Sequence, residues 1–184
     1  MSFVRLPKRF AAVLLATAVL AGACSAGGGD SAGSAETETP DAEVGAIGLE
    51  VPEGFGSGTL TVRDSSGETL RWPVLVAADR ESRRRGLMGV TDLGGWAGMA
   101  FVFDTDVTNS FWMKDTLIPL TVVYVNGDGA VVSTSDMEPC APGTACPAYA
   151  PGGPYRMAFE AVQGDLDRLG IGTGAILSLE TTTD

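Results

Sequence analysis

The most distinctive run of reactive residue types in the chain is Phe111-Trp112-Met113-Lys114-Asp115-Thr116, followed by Pro119-Leu120. On a strand, Trp112 and Lys114 face one way and Phe111 and Met113 the other. A lysine beside a tryptophan, at a strand end next to a proline turn, can be a desolvated amine or an anion-binding cation. The plainer reading is a rim lysine that keeps its head in water while Trp112 packs in the core. Glu160 sits between Phe159 and Ala161 in the run from Tyr155 to Val162. A carboxylate flanked in this way needs solvent or a partner. Pairing with Lys114 or an arginine is one expectation, and an outward-facing glutamate is the other.

Other reactive types are weaker. Asp136 and Glu138 precede Pro139-Cys140 and match no calcium-loop spacing, which favours a solvated loop. Methionines bind copper(I) when clustered, but Met88, Met99, Met113, Met137 and Met157 are scattered one per element and read as core filling. Cys140 and Cys146 lack the C-x-x-C spacing of a redox pair, so a structural staple across their loop is the better reading. The chain has no histidine, which excludes Ser-His-Asp and Cys-His catalysis, His-ligated zinc or copper, and an imidazole pH switch. There is no nucleophile elbow, oxyanion loop or cofactor motif, so neither a cofactor nor a metal site is expected. A formal charge of −11 argues against nucleic acid as a partner.

Period-two patterning dominates the segment that must position these residues. Leu60 and Val62 alternate with Thr61 and Arg63, a turn follows at Ser65-Ser66-Gly67-Glu68, and Leu70, Trp72 and Val74 lie on one face of a returning strand through Val76. Asp79 is the predicted N-cap of a short helix over Arg80 to Gly86, the one strongly basic stretch of the domain. Further strands are predicted at 99–103, 110–113, 120–125, 130–134, 155–162 and 175–179. Asn126-Gly127-Asp128-Gly129 marks a hairpin, and one helical turn is expected over Asp165 to Leu169. The expected fold is therefore mainly β (α+β): a small barrel-like or strongly curled sheet of about seven short strands with one or two short helices. Closure into a barrel would remove exposed edges.

The N-terminus has a different role. Arg5, Lys8 and Arg9 precede a run from Phe10 to Leu20 in which only Thr17 is polar, and Ala21-Gly22-Ala23-Cys24 follows. That order is the n-region, h-region and small-residue site of a secretory signal, here residues 1–23. Leu20-Ala21-Gly22-Ala23-Cys24 also resembles the lipobox of bacterial lipoproteins. If Cys140 and Cys146 pair, Cys24 is left over, and lipidation is the simplest use of an odd exported thiol. The chain is expected to be exported and held at the outer face of the cell membrane by lipid on Cys24; plain secretion is the alternative. Residues 25–56 carry seven acids and no base, with Gly27-Gly28-Gly29 among them. Residues 24–56 thus read as an acidic flexible tether, and 57–184 as a single β-rich domain with nine bases against 16 acids.

Several of these residues together resemble a known family. Arg85-Gly86-Leu87-Met88, then Gly98-Met99 with Phe101 and Phe103, then Phe111-Trp112-Met113-Lys114 with Thr116, Pro119 and Leu120 are similar to the signature of domain of unknown function 192. Pro139, Cys140 and Cys146, Glu160 with Gly164, and Gly170 to Gly174 continue in the family's order, so the resemblance covers about residues 58–181. It implies a compact, mostly β domain with a barrel-like core, often exported, and brings no established activity. The family usually has Asn where Asp115 stands, an acid in place of Thr121 and Leu in place of Phe159. The motif concentrates on Trp112, Lys114 and Glu160, which marks them as one expected pocket.

Three functions follow as expectations. The first is a surface-tethered module binding a small polar envelope ligand at Trp112, Lys114 and Glu160, with Arg85 nearby. Close behind it stands a structural or protein-interaction domain of the envelope without a small-molecule ligand. A hydrolase using Lys114 with Glu160 or Asp136 ranks lower. A monomer is expected.

Overall fold

A computed structural model describes residues 48–140 and 142–182 of the 184-residue chain. The expected signal peptide, Cys24 and residues 24–47 of the expected tether lie outside the described residues.

Strand β1 (Gly56–Arg63) and strand β2 (Thr69–Ala77) form an antiparallel hairpin, with Leu60 opposite Trp72 and Arg63 opposite Thr69. The turn between them is held by the Asp64 carboxylate, which accepts from the Ser66 and Glu68 N–H groups. Helix α1 (Arg80–Arg85) follows. Asp79 caps it as predicted, accepting from the N–H groups of Glu81 and Ser82 while the Ser82 hydroxyl donates back to its carboxylate. The chain returns in strand β3 (Met99–Val107), which pairs in parallel with β2 over Leu75 to Ala77. A parallel pairing requires a crossover, and α1 with the loop after it supplies one.

Strand β4 (Phe111–Trp112) is only two residues long. Strands β5 (Leu120–Val125) and β6 (Val131–Met137) make the predicted hairpin, turned by Asn126, whose side chain accepts from the Asp128 and Ala130 N–H groups. Strand β7 (Ala148–Tyr149) pairs with β4, strand β8 (Tyr155–Val162) inserts between β5 and β3, and strand β9 (Ile176–Thr181) lies on the outer side of β1. The result is a seven-stranded mixed sheet in the order β6-β5-β8-β3-β2-β1-β9, beside the small β4-β7 ribbon.

The expected barrel does not form. The sheet keeps two edges, β6 and β9, which touch at one bridge between Ala130 and Ile176, with the Leu177 N–H donating to the Gly129 carbonyl. Beyond that point β9 runs past the hairpin turn rather than along β6, so no ladder closes the ring. One helix is present among the described residues; the segment from Asp165 to Leu169 is a single turn closed by the Leu169 N–H on the Asp165 carbonyl.

Apolar side chains pack on both faces of the sheet. One cluster contains Leu60, Val74, Val123, Phe159 and Leu177; the other contains Met99, Phe101, Met113, Val122 and Met137. The second is covered by α1, by the loop through Trp96, and by Leu49 and Phe55 from the segment before β1. The Trp96 indole N–H donates to the Glu50 carbonyl in that segment. Met99, Met113 and Met137 are fully buried, in keeping with core filling. Among the described residues no helix is long and apolar enough to cross a membrane.

Candidate functional site

Glu160 is buried in the middle of the sheet. It lies opposite Met99 on β3 and Val122 on β5, and only 4% of its surface is exposed. It shares the face of Ala158, which belongs to the cluster under α1. Among the described residues no hydrogen bond or ion pair reaches its carboxyl group, whose oxygens are not fully enclosed. Instead it borders a cavity of about 30 Å³ walled by Phe101, Phe111, Trp112 and Thr116 and by the turn from Arg83 to Met88. Burial pushes its ionisation up to about 8, and no neighbouring cation offsets that burial. The close approach of β3 to this point depends on Gly98, where a Cβ would stand 2.1 Å from the Glu160 carbonyl oxygen.

The cover over Glu160 comes from α1 and β4. Two of its arginines are used structurally. Arg83 donates to the carbonyls of Ala78 and Val102 and lies 4.9 Å over the Phe103 ring. Arg85 donates to the Glu53 carbonyl and stacks on Phe55 at 3.9 Å. Arg80 and Arg84, one turn apart on α1, are exposed and have no partner among the described residues. Both line an open groove of about 520 Å³ that shares Arg83, Arg84, Phe101, Phe111 and Trp112 with the small cavity.

The groove is aromatic on its other side. Phe101 and Phe111 meet edge-on at 4.9 Å, and Phe103 meets Tyr155 in the same way at 5.4 Å. The tyrosine hydroxyls beneath are engaged. Tyr124 donates to the Tyr149 carbonyl at 2.6 Å and Tyr155 to the Asn109 carbonyl at 2.9 Å. Burial raises both phenols, Tyr124 to about 12, so both remain neutral donors. Asp104 is the acid on the groove, against Arg80, Arg83 and Arg84.

Of the four residues expected to share a pocket, Trp112, Glu160 and Arg85 border the cavity and Lys114 does not. Lys114 is half exposed and pairs with Asp115 at 3.1 Å, so the expected Lys114–Glu160 pair is absent. The cause is local: β4 ends at Trp112, and the chain turns at Asp115, whose φ of 55° lies in the left-handed region that Asp and Asn enter more readily than most residues. Trp112 is 54% exposed rather than core. Cys140 and Cys146 form a disulfide with a Cα separation of 5.7 Å. Asp136 is exposed and accepts from the Thr121 hydroxyl at 2.6 Å, far from any role with Glu160 in the cavity. The sequence reading missed Arg80, Arg84 and the aromatic wall as site components; the i, i+4 spacing of the two arginines was the available signal.

Comparison with known proteins places these features in a family. Residues 61–179 match the family model DUF192, described as "Uncharacterized ACR, COG1430". No curated protein matches the chain. Among solved structures, a protein of unknown function from Novosphingobium aromaticivorans DSM 12444 is similar with a TM-score of 0.59 and 26% identity, over 71% of this chain and 90% of the other. A crystal structure described as a "putative transcription regulator" from Sinorhizobium meliloti 1021 gives a TM-score of 0.58 and 25% identity, over 68% of this chain and 95% of the other. The matched span holds most of the sheet, the arginine helix and Glu160, and on that match the chain belongs to the DUF192 family.

Proposed function

We propose that the protein is a binding module, tethered at the cell envelope, that takes a small anionic ligand with an apolar or ring-shaped face in the groove between α1 and β4. One observation carries the reading. Arg80 and Arg84 stand a helical turn apart without partners among the described residues, along a groove whose other wall is aromatic. Like charges at this spacing destabilise a helix by about 0.2–0.5 kcal/mol, a cost that an anion would reverse. Phe103, Phe111 and Trp112 offer ring surface for stacking above the buried Phe101, and the volume of about 520 Å³ suits a ligand of one or two rings. Lys114 is balanced by Asp115 and contributes little attraction. The address belongs to the same proposal and rests on the signal-like residues 1–23 and on Cys24.

The test uses inorganic phosphate and a hexose phosphate as probes, read through the Trp112 indole N–H in nuclear magnetic resonance spectra. The hexose phosphate is expected to shift that signal at lower concentration than phosphate. Arg80→Ala and Arg84→Ala are each expected to weaken binding about tenfold, the loss of one charge-assisted hydrogen bond. Unchanged spectra with both probes at millimolar concentration would overturn the groove. For the address, radiolabelled palmitate is expected in the wild type and not in Cys24→Ser.

A second reading, a protein-interaction surface, draws on the exposure of Trp112 at 54% and Leu117 at 50% on the same cover. It differs in its sensitivity: Leu117→Glu would abolish partner binding while leaving the two phosphate probes unaffected.

A further inference from the structure

The cavity over Glu160 differs in character from the groove beside it. It is small, about 30 Å³, which is room for one water-sized group and too little for a sugar ring or a guanidinium. Its floor is Glu160, a residue 4% exposed, and its wall is made by Phe101, Phe111 and Trp112 on one side and by the stretch from Arg83 to Met88 on the other. An acid buried in this way is relieved by a proton or by a counter-cation.

We propose that this cavity is an ammonium subsite, in which Glu160 supplies the carboxylate and Phe101, Phe111 and Trp112 supply aromatic faces to a primary amine of the ligand. The assignment of the anionic end to Arg80 and Arg84 rests on the groove reading above; the ammonium subsite stands on its own geometry. The ligand of the complete site is then an amine-bearing anion, positive at the cavity and negative at the groove. Aromatic faces attract a cation most strongly once it has left water, and a carboxylate beside them completes the pairing.

The charged groups around Glu160 leave this role open. On the α1 side Arg83, Arg84 and Arg85 all border the cavity: Arg83 and Arg85 are engaged by backbone carbonyls and aromatic rings, and Arg84 is exposed and borders the groove as well. Lys114 is paired with Asp115 outside the cavity. From β5, Tyr124 faces the carboxyl and its own hydroxyl donates to Tyr149. Glu160 carries a raised ionisation through burial alone, so no protein cation already fills the place. Binding of an ammonium at neutral pH would therefore expel the Glu160 proton to solvent and leave a carboxylate–ammonium pair.

Methylammonium is the probe for the subsite, because it has no anionic end and does not depend on the arginines. Tetramethylammonium has the same charge and is too large; methanol has similar size and no charge. With the full chain, methylammonium is expected to shift the Trp112 indole signal in a saturable way. Below about pH 8 its affinity should rise about tenfold per pH unit, since one proton leaves for each cation bound. Glu160→Gln, which keeps the shape of the protonated side chain, should abolish the shift, and Trp112→Ala, monitored by amide signals, should weaken binding. An absent response, an equal response to tetramethylammonium or methanol, a flat pH profile, or full binding in Glu160→Gln would each overturn the subsite. Failure of the groove reading shows separately, as hexose phosphate binding that is absent or indifferent to Arg80→Ala and Arg84→Ala.

Discussion

Cys140, one half of the Cys140–Cys146 disulfide, forms a parallel backbone bridge with Lys114, two residues beyond the end of β4. The disulfide loop is thereby fastened to the segment that roofs Glu160. The roof has little strength of its own, since the β4–β7 ribbon consists of Phe111 opposite Tyr149 and Trp112 opposite Ala148. A two-residue ribbon is not stable alone in water. Its position is set by the Phe111 ring packed between Phe101 and Tyr124 from below and by the disulfide from the side.

Removing the disulfide should therefore loosen the roof more than the sheet. Cys140→Ser with Cys146→Ser closes no covalent loop in the unfolded state, and a loop this short is worth about 2 kcal/mol. Urea unfolding followed by circular dichroism should show that loss. Hydrogen exchange should rise in 111–116 and 146–149 while β5 and β8 stay protected. Uniform exchange across the sheet would show that the disulfide supports the whole domain instead.

Glu160 makes stability fall with pH. The unfolded chain ionises this carboxyl near 4.5 and the folded chain only near 8. Between those values the folded state holds a proton that the unfolded state has lost, so unfolding becomes easier as pH rises. The full difference is about 5 kcal/mol in the limit of complete burial. Urea midpoints between about pH 5 and pH 8 should decline for the wild type and stay level for Glu160→Gln, which has no proton to lose. Parallel curves for the two proteins would place the carboxyl in solvent.

Most strands were legible because their residues alternate. Leu60 with Val62 marked β1, the Asn126–Gly129 turn marked the β5–β6 hairpin, and Asp79 marked the start of α1. The order of strands was not legible, since the insertion of β8 between β5 and β3 depends on pairings distant in sequence. Nor was the missing closure, which depends on where β9 passes the hairpin turn. Glu160 was ambiguous for a definite reason: β8 is buried on both faces, so alternation offers no outward side. Lys114 was misplaced because alternation was extended beyond Trp112, where the strand ends. Arg80 and Arg84 showed in the sequence only as part of one basic stretch, because their neighbours across the groove are distant in the chain.

Arg85 should prove to be a strap residue rather than a ligand residue. Its guanidinium holds the Glu53 carbonyl and the Phe55 ring, fixing the segment before β1 to α1. An exposed contact of this type is worth about 1 kcal/mol. Arg85→Ala should speed proteolysis and hydrogen exchange at 49–55, with little change in the urea midpoint. Binding of the hexose phosphate probe should also survive. Loss of that binding with the strap still protected would move Arg85 into the ligand site.

Gly98 should be the least replaceable glycine near the site. It precedes β3, and its carbonyl accepts from the Leu75 N–H while the next residue, Met99, lies opposite Glu160 on β8. A Cβ at Gly98 would stand 2.1 Å from the Glu160 carbonyl oxygen and 2.7 Å from the Phe159 ring. Neither can yield easily, because one is backbone in the middle of the sheet and the other belongs to a fully buried side chain. Gly98→Ala must push β3 away from β8, and overpacking of this kind costs about 1–3 kcal/mol or more. Gly89→Ala is the control: its φ of +75° is unfavourable to any side chain, but nothing lies within 4 Å. The control should lose about 1–2 kcal/mol from backbone strain alone. The Gly98 variant should lose more, and its Glu160 should ionise closer to the normal range as the opened sheet admits water. Urea unfolding of both variants, with the pH dependence of each, separates the terms. Equal losses and an unchanged pH slope would mean that β3 and β8 do not approach closely at Glu160.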